Sequence, residues 1–113
     1  MVDVTVLTDS EHRYRGIRLL GHAGLAGDDR VSRQELVCAA VSALTLNMSN
    51  SVERFTEDPF EAEVDEESGG FRFFFPSSIS SGSELLMNSL VFGLEDIEEE
   101  YGEPYIKIRF KEV

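Results

Sequence analysis

The order in which two hydrophobic patterns alternate along the chain most constrains its fold. Five short segments are rich in apolar residues, most of them spaced with period two, which is the pattern of strands with one buried face. These segments are Val2–Leu7, Arg15–Leu20, Phe60–Val64, Phe71–Phe75 and Tyr105–Lys111. Two other segments, after the second and the fourth of them, repeat at helical spacing. The predicted order is therefore ββαββαβ.

Both predicted helices have a start signal and one apolar stripe. The first begins at a capping box formed by Ser32 and Glu35, and it is expected to end near residues 50–51. The second has its N-cap at Ser81 or Ser83. The stripes are Val37, Val41, Leu44 and Met48 in the first helix, and Leu86, Leu90, Leu94 and Ile97 in the second. Because each helix has one apolar stripe, we expect an α+β fold with two helices on one face of a mixed sheet.

The length of the chain and its charge limit the possible functions. A chain of 113 residues without repeats or linkers predicts a single domain over residues 1–113. Its net charge of −12 argues against sequence-independent binding of nucleic acid and allows attraction of a basic partner. The stretch Val37–Leu46 is too short to span a membrane, and the start of the chain does not resemble a signal peptide. With one cysteine, no disulfide can form within the chain, so we expect a cytoplasmic protein.

Cys38 is the first candidate for chemistry. It lies in the first two turns of the first predicted helix, where the positive end of the helix dipole still acts weakly. Thiols at such positions, or beside a histidine, lose their proton more easily than a free thiol, whose pKa is near ~8.5. Cys38 shares a helix stripe with Ser42, Thr45 and Ser49, which is more polar than the core stripe. The alternative is that a lone cysteine on an alanine-rich helix is a small buried apolar residue.

His22 is the second candidate, because it lies between Gly21 and Gly24 in a glycine-rich loop that leads into the Cys38 helix. Glycines on both sides let the backbone turn tightly and leave the imidazole exposed. A thiol near an imidazole is the minimal apparatus for covalent acyl transfer, with the histidine as base and the thiolate as nucleophile. The alternative for His22 is an ordinary polar loop residue.

The remaining polar residues give weaker signals. Asp28 and Asp29 in the same loop could orient the imidazole, but loop acids are usually solvated. One cysteine and two histidines without paired spacing do not make a zinc site, so no metal is predicted. The glycine loop with Gly27 lacks the lysine and hydroxyl residue of a phosphate-binding loop, so no cofactor is predicted.

Several segments together resemble a known protease family. Gly21-His-Ala-Gly24 followed by Val37-Cys-Ala-Ala-Val-Ser-Ala-Leu44 is similar to the signature of the ribosomal-processing cysteine protease family, Prp. Asn50-Ser-Val52 and Tyr101-Gly-Glu-Pro-Tyr-Ile-Lys-Ile108 resemble the family's helix end and C-terminal strand. The resemblance therefore spans nearly the whole chain.

The resemblance implies a cysteine endopeptidase, usually a homodimer, with His22 as base and Cys38 as nucleophile. It implies that the substrate is a basic large-subunit ribosomal protein, whose N-terminal extension is removed after paired phenylalanines. Gly21, Gly24 and Gly27 would belong to the active-site loop. The family carries an aspartate three residues before the cysteine. Glu35 holds that position here and is a possible orienting acid.

The loop between His22 and Cys38 departs from the family pattern, because it is about four residues longer by our alignment. Longer loops are tolerated thermodynamically, but they can change which substrate is selected. Two other functions fit the same sequence: a non-catalytic ribosome-associated assembly factor of the same fold, and an interaction module in which Cys38 only fills the core.

Overall fold

The protein, described as a computed structural model, forms five strands and two helices in the predicted order ββαββαβ. The structure describes residues 1–21, 33–65, 67 and 70–113. The strands are β1 (Val2–Thr8), β2 (Tyr14–Leu20), β3 (Glu61–Asp65), β4 (Gly70–Phe74) and β5 (Ile106–Glu112). The helices are α1 (Arg33–Phe55) and α2 (Ser81–Tyr101).

The strands form one mixed sheet in the order β3-β4-β2-β1-β5. β1 pairs antiparallel with β2 and parallel with β5, while β4 pairs antiparallel with β2 and with β3. The parallel β1–β5 pair places the starts of both strands, and the end of β2, at the same end of the sheet. The side-chain amide of Gln34 donates to the carbonyl of Tyr105, directly before β5, so the first turn of α1 lies at this end as well.

One face of the sheet and one side of each helix build the core. Val4, Val6 and Ile17 are fully buried on the sheet face that the helices cover. Val41 of α1 and Leu94 of α2 pack into the same cluster. The prediction of a mixed sheet with two helices on one face is confirmed. No helix in the described part of the chain is long and apolar enough to cross a membrane.

The two helix stripes are confirmed only in part. Leu44, predicted as core, is 36 % exposed, and it packs against α2, where a Cβ added at Gly93 would lie 3.0 Å from Leu44 Cδ1. α1 also continues to Phe55 instead of ending near residues 50–51, because Val52 is fully buried and extends the core contact by a turn. Ser32, the predicted cap of α1, lies outside the described residues.

The N-cap of α2 is neither of the two predicted serines but lies one residue before Ser81 and three before Ser83. It is Ser80, whose side-chain oxygen accepts a hydrogen bond from the backbone N–H of Ser83. Asp58, from the segment before β3, accepts hydrogen bonds from the hydroxyls of Ser80 at 2.6 Å and Ser83 at 2.5 Å. These two hydroxyls hold the pKa of Asp58 below its usual range. The cap position is therefore fixed by a residue more than 20 positions away in sequence.

Candidate active site

Cys38 lies in the second turn of α1 and is half-buried. Its side chain packs against the edge of the core cluster without being enclosed by it. The stripe that it begins is less exposed than its polarity suggests, since Thr45 and Ser49 are both buried. Thr45 donates its hydroxyl hydrogen to the Val41 carbonyl at 2.7 Å, so the helix itself satisfies that buried group. Within this stripe, Cys38 at the N-terminal end is partly exposed, whereas the residues toward the C-terminal end are buried.

Gly21, which precedes the predicted catalytic histidine, follows β2 in a conformation that favours glycine. Its φ is +90°, and a Cβ added there would lie 2.4 Å from the Met1 carbonyl oxygen. Any other residue would be strained by its backbone angle and would also collide with Met1. The end of β2 is therefore held closely against the start of β1.

The predicted loop residues His22, Gly24 and Gly27 lie outside the described residues, as do Asp28 and Asp29. The Cys–His pair and the glycine loop remain predictions. Glu35, the possible orienting acid, is half-buried in the first turn of α1, three residues before Cys38. Among the residues that the structure describes, no three histidine, cysteine, aspartate or glutamate side chains are grouped to hold a metal ion.

A set of contacts around the Tyr105 carbonyl was not predicted from the sequence. This oxygen accepts the backbone N–H of Val2 at 2.8 Å and the side-chain amide of Gln34 at 3.1 Å. It thereby joins the start of β1, the residue before β5 and the first turn of α1. Gln34 is one helical turn before Cys38, but the carbonyl that it contacts is 71 positions away, so sequence spacing alone could not reveal this bond.

A broad hollow of about 1090 Å³ lies on the sheet face opposite the helices, and Cys38 does not line it. Arg18, Arg72 and Arg109 line this hollow, and strand pairing places them on one face. Arg109 donates to Asp3 at 3.0 Å. The sheet separates this hollow from the thiol, so its size does not make it the site of thiol chemistry.

The family model that matches this chain is "Cysteine protease Prp", over residues 1–107. A ribosomal processing cysteine protease Prp of Staphylococcus aureus is 24 % identical over 111 residues, covering 98 % of this chain and 100 % of the relative. Its counterpart in Bacillus subtilis is 28 % identical over 105 residues, covering 89 % of this chain and 90 % of the relative.

Solved structures show the same fold. The crystal structure of the ribosomal processing protease Prp from S. aureus with a covalently linked product peptide matches with a TM-score of 0.84. It is 23 % identical and covers 98 % of this chain and 100 % of that one. SMU.848 from Streptococcus mutans matches with a TM-score of 0.80 at 25 % identity, covering 100 % of this chain and 96 % of that one.

The family match covers the two segments that carry the specific part of the resemblance, Gly21–Gly24 and Val37–Leu44. It therefore confirms the resemblance and the expected enzyme class, a hydrolase that uses a thiol. The chain belongs to the cysteine protease Prp family.

Proposed function

We propose that this protein is a cysteine endopeptidase that removes the N-terminal extension of a large-subunit ribosomal protein, with Cys38 as nucleophile and His22 as base. The observation that carries the proposal is the meeting of three segments at one end of the sheet. Gly21, which follows β2 and precedes His22, lies there against Met1. β1 begins there at Val2, and the first turn of α1 is bonded there to the Tyr105 carbonyl.

The chemistry follows from a thiol and an imidazole. His22 takes the Cys38 proton, and the thiolate sulfur attacks the carbonyl carbon of the scissile peptide bond. When the tetrahedral intermediate collapses, the C–N bond breaks and the imidazolium gives its proton to the leaving amine. Water, deprotonated by His22, then hydrolyses the thioester and returns the free thiol. Backbone N–H groups of the glycine loop would stabilise the oxyanion, and Glu35 would orient the imidazole.

The half-exposed position of Cys38 supports this role, because a nucleophile must be reached by the substrate. The acidic chain would attract a basic ribosomal protein, and this attraction weakens with added salt.

We further propose that the protein acts as a homodimer. Residues 36–52 carry no charged side chain, although the chain as a whole has a charge of −12. Leu36 and Leu46 are half-exposed on the outer side of α1, and Ala39 and Ala43 are exposed between them. A neutral apolar surface lets two acidic copies meet without repulsion. Sedimentation analysis should show a dimer that Leu46→Glu dissociates, whereas Leu85→Glu on α2 leaves it intact.

Residues 1–113 would form one protease domain, which we place in the cytoplasm, without a metal, cofactor, membrane or direct nucleic-acid partner. These assignments rest on composition and on the family. A filter-binding assay with ribosomal RNA at physiological salt should therefore show no saturable complex.

The test of the proposed reaction uses the ribosomal protein from the same genome that carries an N-terminal extension with paired phenylalanines. The purified enzyme should cut this protein after the second phenylalanine, as read by mass spectrometry of both products. A copy of the substrate with both phenylalanines changed to alanine is the matched control and should stay whole. Binding of the extended protein without cleavage would instead support the non-catalytic assembly factor, and would overturn the proposal.

A further inference from the structure

The Tyr105 carbonyl is shared by two segments that lead to the proposed catalytic pair. Its oxygen accepts the Val2 N–H at 2.8 Å as part of the start of the β1–β5 pairing. The same oxygen accepts the Gln34 side-chain amide at 3.1 Å. A carbonyl oxygen has two lone pairs, so both bonds can form at once.

The segment on the histidine side meets the same part of the molecule. Met1, whose carbonyl lies against Gly21, is directly followed by Val2, which is bonded to Tyr105. Gly21, the residue before His22, and the first turn of α1 thus both contact the region where β1 begins. Gly21 lies against the Met1 carbonyl, and Gln34 shares the Tyr105 carbonyl with Val2.

Gln34 is suited to control the thiol because it is four residues before Cys38. Residues four apart lie on the same side of a helix, about 6 Å apart along its axis. The buried side chains of Val37 and Val41 hold α1 against the sheet, but apolar contacts are non-directional. A hydrogen bond has a preferred length and angle, so it fixes the rotation and height of the first turns more narrowly than packing does.

We propose that Gln34 is a positioning residue, which holds the first turns of α1, and with them the Cys38 thiol of the proposed catalytic pair, in place through its bond to the Tyr105 carbonyl. The inference rests on the proposed function, because it concerns the geometry of that catalytic pair. Proton transfer and nucleophilic attack are sensitive to displacements of about 1 Å, which can cost on the order of 100-fold in rate.

The test replaces the side-chain amide by an apolar group of similar length, Gln34→Met. We expect kcat for the ribosomal substrate to fall by about 10- to 100-fold, with KM changed less than about threefold. The pH profile of Cys38 alkylation by iodoacetamide should move to higher pH, since a thiol displaced from the imidazole of the proposed pair gains less stabilisation as a thiolate. Gln34→Lys, which keeps a donor at this position, should recover most of the lost kcat.

Arg15→Met is the matched control. Arg15 also donates from its side chain to a distant backbone carbonyl, that of Phe75, at 2.8 Å and partly buried. This bond lies where β2 begins, at the opposite end of that strand from Gly21. The control should lower the melting temperature about as much as Gln34→Met does, while kcat and the alkylation profile stay at the wild-type values.

Two results would overturn the inference while leaving the protease assignment standing. One is a Gln34→Met enzyme with wild-type kcat and alkylation profile; the other is an Arg15→Met enzyme that loses as much kcat. Failure of the proposed function would look different, because the wild-type enzyme itself would then not cut the substrate.

Discussion

The two helices are similar in length, 23 and 21 residues, and pack on the same face of the sheet, but their first turns are used differently. At the start of α2, the hydroxyls of Ser80 and Ser83 bond to the Asp58 carboxylate. At the start of α1, Gln34 bonds to the Tyr105 carbonyl, and Cys38 one turn later is half-exposed. The polar groups at the start of α2 bond to each other and stabilise the fold, whereas in our proposal the Gln34 bond at the start of α1 positions the Cys38 thiol.

This difference predicts that substitutions in the first turns of α1 mainly lower activity, whereas substitutions in the first turn of α2 mainly lower stability. The largest effect on activity is expected for Cys38→Ala, which should reduce peptide cleavage by at least about 1000-fold. The melting temperature should change little, because Cys38 is at the edge of the core. Cleavage assays and thermal melts of the same preparation check both parts. Residual cleavage above about a tenth of wild type would exclude the thiol as nucleophile.

Gly21→Ala is expected to lower both stability and activity, because Gly21 contacts Met1 and directly precedes His22. Its positive φ and the 2.4 Å approach of an added Cβ to the Met1 carbonyl predict a stability loss of about 2 kcal/mol or more. Cleavage should also fall, since the backbone that leads into His22 must move. Urea titration measures the first effect and kcat the second. Gly82→Ala is the control, because an added Cβ there meets only ordinary contacts at 3.5 Å.

Ser80→Ala should lower stability and leave activity nearly unchanged, the opposite of what is expected for Cys38→Ala. Loss of the N-cap of α2 is expected to cost about 1 kcal/mol of folding stability. The value of kcat should stay within about twofold of wild type at a temperature where both proteins are folded. Thermal or urea unfolding together with a cleavage assay measures the two quantities. A loss of kcat larger than the loss of folded protein would show that the α2 start also shapes the active site.

The smallest expected effect is the contribution of the Asp58 carboxylate to the pH dependence of folding stability. Asp58 has a lowered pKa in the folded protein, so its carboxylate stabilises the fold above its ordinary pKa of 3.8. That stability is lost as the pH falls through the lower, folded pKa. Asp58→Asn should therefore be less stable near neutral pH and lose less stability on acidification. Unfolding midpoints measured at a series of acidic pH values check this. Asp96→Asn, at an exposed position of α2, removes the same charge and is the control.

The sequence predicted the element order because each strand and helix carries its own periodicity. It failed where a distant contact decided the outcome. Asn50 and Ser51 are typical helix ends, yet α1 continues because Val52 reaches the core. Several serines could cap α2, and Asp58 selects Ser80. The period-two pattern of Tyr105–Lys111 also predicts that Phe110 faces inward, yet Phe110 is 54 % exposed because it lies late on the edge strand β5.

In the candidate site, too, features that depend on neighbouring residues in the sequence could be predicted, and contacts between distant residues could not. Cys38 could be found because a thiol near a helix start is a local chemical signal, and the family match covers this segment. The bond between Gln34 and Tyr105 could not be found, because the two residues are 71 positions apart and neither is unusual by itself.

If His22 activates Cys38, as we propose, the rate of Cys38 alkylation should depend on pH in a way that requires the imidazole. Cys38 is the only cysteine in the chain, so every labelled molecule reports on this thiol. The wild-type protein should react with iodoacetamide at neutral pH much faster than a small model thiol, and His22→Ala should lose that advantage. Equal rates for the wild type, the variant and the model thiol would contradict the account.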